Sequence, residues 1–441
     1  MKIRDIGWIV VVAGPIAALG LLLISSSVMW RFNEKLLLSE LENRFGRETA
    51  TAAAPMEVSF SEATSTRQSV ALAEVLDSAS EMEAKYSHVI RFEFQTQTVT
   101  PEDQQILDRF LAEYASDLGP MLAALDAIDF EDEPIWMPVE HGRIDAWAGN
   151  ISLFRTVWRL LYTDIIAAVA NNESERAVRS IERVQRISHA LLLPQTPTTE
   201  LVRIQARTQL HEALEFVLPK GDWTPEQLER IDGALAERFP YRESWQAMTQ
   251  AEQIQAIRKL RGEVTQETNF TEVLQAPSRR RNWLAYRNEL ERLGTDSPTR
   301  LIEAVDKLIE KQATLAGQNR LDTLVSFPFS NAAPYLDQSD NLLASSFMNL
   351  ENDRKFYRTA VAILRFRDRF GEYPTTLQSL SRIDYPISET ISLNQWSFGY
   401  FNRNNETRLV IAGRGEKWDG RWTLTETVIE FPPARPTTLS D

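Results

Sequence analysis

From Ile6 to Trp30 the chain runs for 25 residues without a charged side chain, with Lys2 and Arg4 before it and Arg31, Glu34 and Lys35 after it. As an α-helix this run reaches about 37 Å, more than the ~30 Å hydrocarbon core of a bilayer. Gly14, Pro15 and Gly20 interrupt it, and membrane helices tolerate both residue types better than soluble ones do. Lys2, Arg4 and the terminal amine face a single acid, Asp5, on the amino-terminal side. The positive-inside tendency then holds residues 1–5 in the cytoplasm and exports everything after Trp30. A cleaved signal peptide is the rival reading, since Ser25, Ser26 and Ser27 offer small residues at a cleavage position. The apolar core of a signal peptide is typically ~7–15 residues long, however. Here a longer run continues directly into an amphipathic segment carrying Phe32, Leu36, Leu37, Leu41 and Phe45, so an uncleaved transmembrane helix over residues 6–30 is expected.

The sequence contains no cysteine, which excludes disulfides, thiolate metal sites and cysteine nucleophiles. An exported body must then be stabilised by packed cores. The formal net charge of the chain is −14. Lys2, Arg4, Arg31 and Lys35 against Asp5 and Glu34 make residues 1–35 net +2, leaving −16 for the rest. A surface so acidic lacks the broad attraction on which non-specific nucleic-acid binding depends, so no nucleic-acid partner is expected. The local cluster Arg279, Arg280 and Arg281, with Arg258, Lys259 and Arg261 upstream, reads as a solvated helix face.

Residues 46–68 are rich in Ala, Ser and Thr without a sustained apolar period, so 31–68 is read as a juxtamembrane helix followed by a linker. Residues 69–349 read as an irregular multi-helix ectodomain. Ile106, Phe110, Leu111, Tyr114 and Leu118 recur every three or four positions, as do Phe154, Val157, Trp158, Leu161 and Ile165, and then Val178, Ile181, Val184, Ile187 and Leu191. Thr100-Pro101 and Thr224-Pro225 put a hydroxyl at the N-cap and proline at the first helical position, and Gln227 completes a capping box. Gly119-Pro120 should end one helix and begin another. Asn171-Asn172 should separate two helices of near-equal length, an antiparallel hairpin from Leu153 to Leu193 similar in shape to one tetratricopeptide-type pair. Beyond residue 350 the character changes. Trp396, Phe398 and Tyr400 alternate with smaller residues, Leu409, Val410 and Ile411 follow a polar turn, and Trp422 to Phe431 alternates with Thr and Glu. Three short antiparallel strands fit, and such a meander must lean on a helix. The helix from Arg354 to Phe370, with Phe356, Tyr357, Ile363, Leu364 and Phe366, supplies that support. Residues 350–431 thus form a small β unit packed on a helix, and 432–441 a tail. The fold class is mainly α.

Within this unit, Arg358 to Leu380 places a long helix ahead of Gly371, then Tyr373-Pro374, then a new turn at Thr375. Gly371 can take the left-handed conformation that ends a helix, Pro374 prevents its continuation, and Thr375 with Gln378 caps the next turn. The segment resembles the helix-to-loop junction of type II secretion pseudopilins. It is still more similar to the closing segment of membrane-anchored α-helical proteins of planctomycete-type bacteria. The resemblance covers about the last 90 residues and implies a bacterial inner-membrane protein with its bulk in the periplasm. It departs from the pseudopilins in two respects: no processing site precedes Ile6, and Glu416 and Asp419, beside Arg414 and Lys417, are too few acids for a calcium ion wanting six to eight oxygens.

The sequence carries no recognisable catalytic, cofactor-binding or metal set. Four histidines, His88, His141, His189 and His211, are scattered, with no His-Glu-x-x-His spacing. No Gly-x-Ser-x-Gly or phosphate-loop motif occurs, and Gly413-x-Gly415 falls in a strand-to-strand turn. Glu131, Asp132, Glu133, Glu140 and His141 surround Pro134-Ile135-Trp136, a carboxylate-and-aromatic loop of a kind that suits glycan hydrolysis. Asn150, Asn172, Asn269 and Asn405 each begin an Asn-x-Ser/Thr tripeptide, which matters only in a eukaryotic secretory route. The expected function is that of an envelope interaction or scaffold protein with a protein partner and no enzymatic activity. The alternatives are a periplasmic glycan hydrolase using carboxylates such as Glu131, Glu133 or Glu140, and an accessory subunit of a secretion or pilus-like assembly.

Overall fold

A computed structural model describes residues 67–90, 101–128, 144–188, 197–260, 286–318, 338–386, 388, 397–403, 406–416 and 422–433, with positions 35, 38, 39 and 43. The uncharged run, the acidic loop with Glu131, Glu133 and Glu140, and the Arg279–Arg281 cluster lie outside these residues, as does Asp419. Among the described residues no helix is long and apolar enough to cross a membrane.

The described chain is mainly helical, with one small antiparallel sheet at its carboxy-terminal end. Its helices are α1 (Arg67–Ile90), α2 (Pro101–Asp126), α3 (Ile144–Ala170), α4 (Ser174–Ile187), α5 (Pro197–Val217), α6 (Pro225–Ala236), α7 (Tyr241–Leu260), α8 (Pro298–Gln318) and α9 (Gln338–Phe370). A 3₁₀ segment, Leu377–Ile383, and strands β1 (Ser397–Arg403), β2 (Glu406–Glu416) and β3 (Trp422–Phe431) follow. Two compact units are formed. One holds the described residues of Ser59–Ser244, Thr295–Ile302 and Ser339–Asp441; the other holds those of Trp245–Gly294 and Glu303–Gln338.

In the larger unit the helices neighbour one another in an ordered way. α1 packs on α2 and α3, α3 on α4 and α5, and α4 on α5 and α6. α1, α3 and α4 each touch the next helix and the next but one, so α1, α3 and α5 line one layer and α4 and α6 belong to the other. Asp126 at the end of α2 accepts from Arg183 of α4 at 2.5 and 2.8 Å, tying α2 to that second layer. This is the packing logic of helical-hairpin arrays, in which no hairpin can bury its apolar face alone. The Asn171-Asn172 turn takes Asn172 to φ 59°, the left-handed region that asparagine tolerates. The two helices it joins are unequal, 27 residues in α3 against 14 in α4, because α3 begins nine residues before Leu153.

The expected break at Gly119-Pro120 does not occur. α2 continues from Pro101 to Asp126 with Pro120 inside it. Proline normally drives the residue before it out of the helical region through its Cβ and N–H. Gly119 has no Cβ, and nothing lies within 4 Å of where one would sit. Both residues are exposed, so water can serve the carbonyl of Ser116 that Pro120 leaves without a donor. The capping box at α6 forms as read: Thr224 accepts from the Gln227 N–H, and the Gln227 side chain accepts from the Thr224 N–H.

The sheet is ordered β1-β2-β3, with Tyr400 opposite Leu409 and Leu409 opposite Ile429. Its inner face, Phe398, Tyr400, Leu409, Ile411, Ile429 and Phe431, joins the core that α9 supplies through Phe356, Ile363 and Phe366. Phe356 meets Phe398 edge-on at 5.8 Å. Gly371 ends α9 at φ 73°, and two tyrosines pin the turn to the sheet. Tyr400 donates to the Pro374 carbonyl at 2.6 Å, and Tyr373 donates to the Pro432 carbonyl at 2.5 Å. The expected Thr375–Gln378 cap is absent. The next turn is 3₁₀, its N-cap is Thr376, and both threonine hydroxyls bond the Ser379 hydroxyl at 3.3 Å instead of a backbone N–H.

In the smaller unit, the Trp245 indole donates to the Leu290 carbonyl at 2.8 Å, and Lys311 pairs with Glu289 at 2.7 Å.

Candidate functional site

Helix α5 shows solvent a narrow strip that includes Gln205 and Glu212. Its apolar residues Val202, Ile204, Ala206, Leu210, Ala213, Leu214 and Val217 are buried, and so are Glu200, Arg203, Arg207 and His211. The last four fall at i, i+3, i+7 and i+11, one stripe along the helix. That stripe is buried because neighbouring elements answer it. Glu200 accepts from Arg203 at 2.9 and 3.1 Å and from the Ser244 hydroxyl. Arg207 donates to the Ser188 hydroxyl at 2.9 Å and to the Glu237 carbonyl at 3.2 Å. The Phe239 ring lies 5.1 Å from the Arg203 guanidinium and 5.4 Å from that of Arg207. Burial of the Arg207 guanidinium, only partly offset by Tyr241 and Glu237, brings it down to about 10.

Helix α9 carries a second polar stripe. Arg354 grips Glu351 with two hydrogen bonds of 2.8 Å, and Tyr241 donates to the same carboxylate at 3.2 Å. Burial pushes the Glu351 carboxyl up, but the Arg354 bonds and charge outweigh it and its net shift is downward. Arg358 and Arg365 both reach Asp232 of α6 at 2.9 Å. Buried salt bridges of this kind gain little against apolar packing, yet they are costly to break on one side only.

Three acids meet where the stripes converge. Asp353 of α9 is half-buried, and burial followed by the charges of Glu212 and Glu215 on α5 lifts its carboxyl from 3.8 to about 7. Tyr357 donates to Glu215 at 3.4 Å, and burial with those carboxylates raises its phenol. His211 stacks on Tyr357 at 5.2 Å, and its Nδ1 has no hydrogen-bond partner. Burial, then Arg207 and Arg354, hold this imidazole down to about 3, so it stays neutral. Chemically the cluster offers one carboxylic acid near its titration point beside two glutamates. Among the described residues no group of three or more His, Asp or Glu is set to hold a metal ion.

A different feature lies on the second layer. Between α4 and α6, at the end of α2, runs an open groove of about 600 Å³. Arg179, Glu182, Gln185 and Arg186 line it from α4, Arg230, Gly233 and Ala234 from α6, and Asp126 from the end of α2, with Glu182 held by Arg230 and Asp126 by Arg183. Arg230 is committed, donating to Glu182 at 2.7 and 2.9 Å and to Glu175 at 2.7 Å.

Of the residues singled out by sequence, only His211 stands in the cluster. The His88 side chain, His141, His189 and the Glu131–Glu140 acids lie outside what is described, and the possible approach of His189 to His211 lies there with them. The stripe from Glu200 to His211, with Asp353 opposite, matches no sequence motif. Its charged residues recur at helical spacing, but Gln205, Gln209 and Glu212 do the same on another face, so the sequence did not mark which polar stripe is buried. Comparison with known protein families, with curated proteins and with solved structures finds no match.

Proposed function

We propose that this is a single-pass protein of a bacterial inner membrane, anchored through Ile6–Trp30, whose acidic helical ectodomain is a protein-interaction module of the cell envelope. The anchor rests on the 25-residue uncharged run and the basic residues before it. The interaction role is carried by one structural observation, the two-layer helical array with an open, arginine-flanked groove on its second layer. Arrays of this type present long side-chain-lined surfaces suited to partner helices and peptides. The test is purification of the full chain from detergent-solubilised membranes. The protein should resist extraction by high salt and retain a partner at fixed stoichiometry through size-exclusion chromatography. Extraction without detergent would defeat the anchor, and a partner-free chain the interaction role.

One observation favours hydrolysis as a second reading. Asp353 titrates near neutrality beside Glu215 and Glu212, and an acid paired with an ionised carboxylate is the arrangement glycoside hydrolysis needs. Here Asp353 is the proton donor. Cleavage of cell-wall glycan by the wild type and its loss in Asp353→Asn supports this reading, whereas equal turnover by both removes it.

A further inference from the structure

Helix α4 carries Arg176, Arg179, Arg183 and Arg186, and the four are not alike. Arg176 bonds Asp164 at 2.6 Å, and Arg183 bonds Asp126 at 2.5 Å. Arg179 and Arg186 each make a single ion pair at 3.9 Å, to Glu175 and Asp126, with no hydrogen bond. Their side chains are 56% and 47% exposed. Pairs so long and so exposed contribute little, and each guanidinium keeps its fork of donors available. The two stand seven residues apart, two turns on one face, about 10.5 Å along the axis. Both border the groove.

The facing wall on α6 is low. Gly233 has an ordinary helical backbone, and nothing lies within 4 Å of where its Cβ would be. Glycine inside a helix costs about 0.5–1 kcal/mol relative to alanine, and among the described residues no contact accounts for it. Beside Ala234 it leaves room for another backbone to approach closely.

We infer that the groove between α4 and α6 binds an acidic helix of a partner protein, with two carboxylates seven residues apart meeting Arg179 and Arg186 and its small-residue face against Gly233 and Ala234. Charge complementarity selects the acid, and spacing selects the helix. Same-face residues of an extended strand lie about 6.6 or 13 Å apart, whereas helical positions i and i+7 reproduce the 10.5 Å of α4. The inference rests on the interaction reading above and deepens it.

The experiment titrates the full chain, in detergent micelles, with a labelled alanine-based helical peptide carrying two glutamates seven residues apart, followed by anisotropy at low salt. The same peptide with glutamines, and one with the glutamates five residues apart, serve as controls. The i, i+7 peptide should bind at least about tenfold more tightly than either control. Arg179→Gln with Arg186→Gln should abolish that preference, and Gly233→Leu should weaken binding at least about threefold while the melting temperature stays level or rises, since leucine is the better helix former. Equal affinity for wild type and the double variant overturns the inference, as does full displacement of the peptide by equimolar inorganic polyphosphate, which marks an unselective anion patch. A membrane-purified partner that the double variant retains defeats the groove and leaves the interaction reading standing. A wild type that binds the peptide but purifies without a partner does the reverse.

Discussion

Asp353→Asn isolates a strongly perturbed acid of the larger unit with almost no change of shape. In the folded protein, burial and the neighbouring charges of Glu212 and Glu215 lift the Asp353 carboxyl from 3.8 to about 7. The folded state therefore binds this proton more tightly than the unfolded chain does. Between about pH 4 and pH 7 the unfolded chain is ionised here while the folded one is not, so this residue makes stability fall as pH rises, and the loss is complete above pH 7. A displacement of about three pH units corresponds to about 4 kcal/mol. Asp353 is only half-buried, and solvent screening reduces the expected effect to about 1–2 kcal/mol. Asparagine carries no proton to lose. The variant should match the wild type at pH 4 and exceed it by about 1–2 kcal/mol at pH 8.

The assay is urea unfolding of both proteins at half-unit pH steps, read as the difference between them. The difference is essential because His211 acts in the opposite sense. Its folded value of about 3 lies below the ordinary 6.5, so its contribution is present above pH 6.5 and is lost as the solution is acidified. Glu212→Gln and Glu215→Gln should each shrink the pH-dependent difference, since each removes one of the charges that raise Asp353. A difference that stays flat from pH 4 to pH 8, or that grows toward acid, would refute the reasoning.

Three further outcomes are expected. Glu200→Ala leaves the buried Arg203 guanidinium and the Ser244 hydroxyl without their shared acceptor, and should lower the urea-unfolding free energy by about 3–5 kcal/mol. Gly371→Ala forces a Cβ into φ 73° and should cost about 1–2 kcal/mol, read by calorimetry with circular dichroism unchanged. His211→Phe keeps a ring on Tyr357 and removes an orphaned Nδ1. It should gain about 2 kcal/mol on the wild type between pH 8 and pH 5, and an unchanged acid limb of the unfolding profile would count against it.

Much of the fold was legible because apolar period and cap chemistry are local. Val178, Ile181, Val184 and Ile187 marked the buried face of α4, and Thr224 with Gln227 marked the start of α6. Alternation marked β1 and β3, an apolar triplet after a polar turn marked β2, and Phe356 with Phe366 marked the helix they lean on. What failed was also physical. Pro120 normally stops a helix, but its effect depends on whether the preceding residue has a Cβ and whether water can reach the freed carbonyl. At Thr375 the residue types fit a cap, but the two tyrosine bonds to the Pro374 and Pro432 carbonyls fix the turn, and the threonine hydroxyls bond another hydroxyl instead. The polar stripe of α5 was hidden for a different reason. Charges at helical spacing ordinarily define the wet side of a helix, and only the partners, Ser244, Glu237 and Ser188, make that side a dry one.

That stripe bears on how the larger unit holds one arrangement. An array helix that was apolar all round could rotate or slide by a turn against its neighbours with little loss, because apolar contact is non-directional. On α5, each step along the stripe has its own answer: Glu200 takes Ser244, Arg207 takes Ser188 and the Glu237 carbonyl, and Glu215 takes Tyr357 of α9. A one-turn slip would set Arg203 where Arg207 stands and leave several buried donors without acceptors, each costing about 1–3 kcal/mol. The polar groups therefore contribute to uniqueness more than to net stability. They also fix where Asp353 meets Glu212 and Glu215, because that encounter depends on α5 and α9 keeping one register. On the second layer Arg183 does the same for the end of α2 through Asp126, and it thereby sets the mouth of the groove that Arg186 borders. Two features that differ in chemistry, a half-buried acid cluster and an exposed arginine groove, thus depend on the same device, in which buried ion pairs select one packing among several that apolar burial alone would allow.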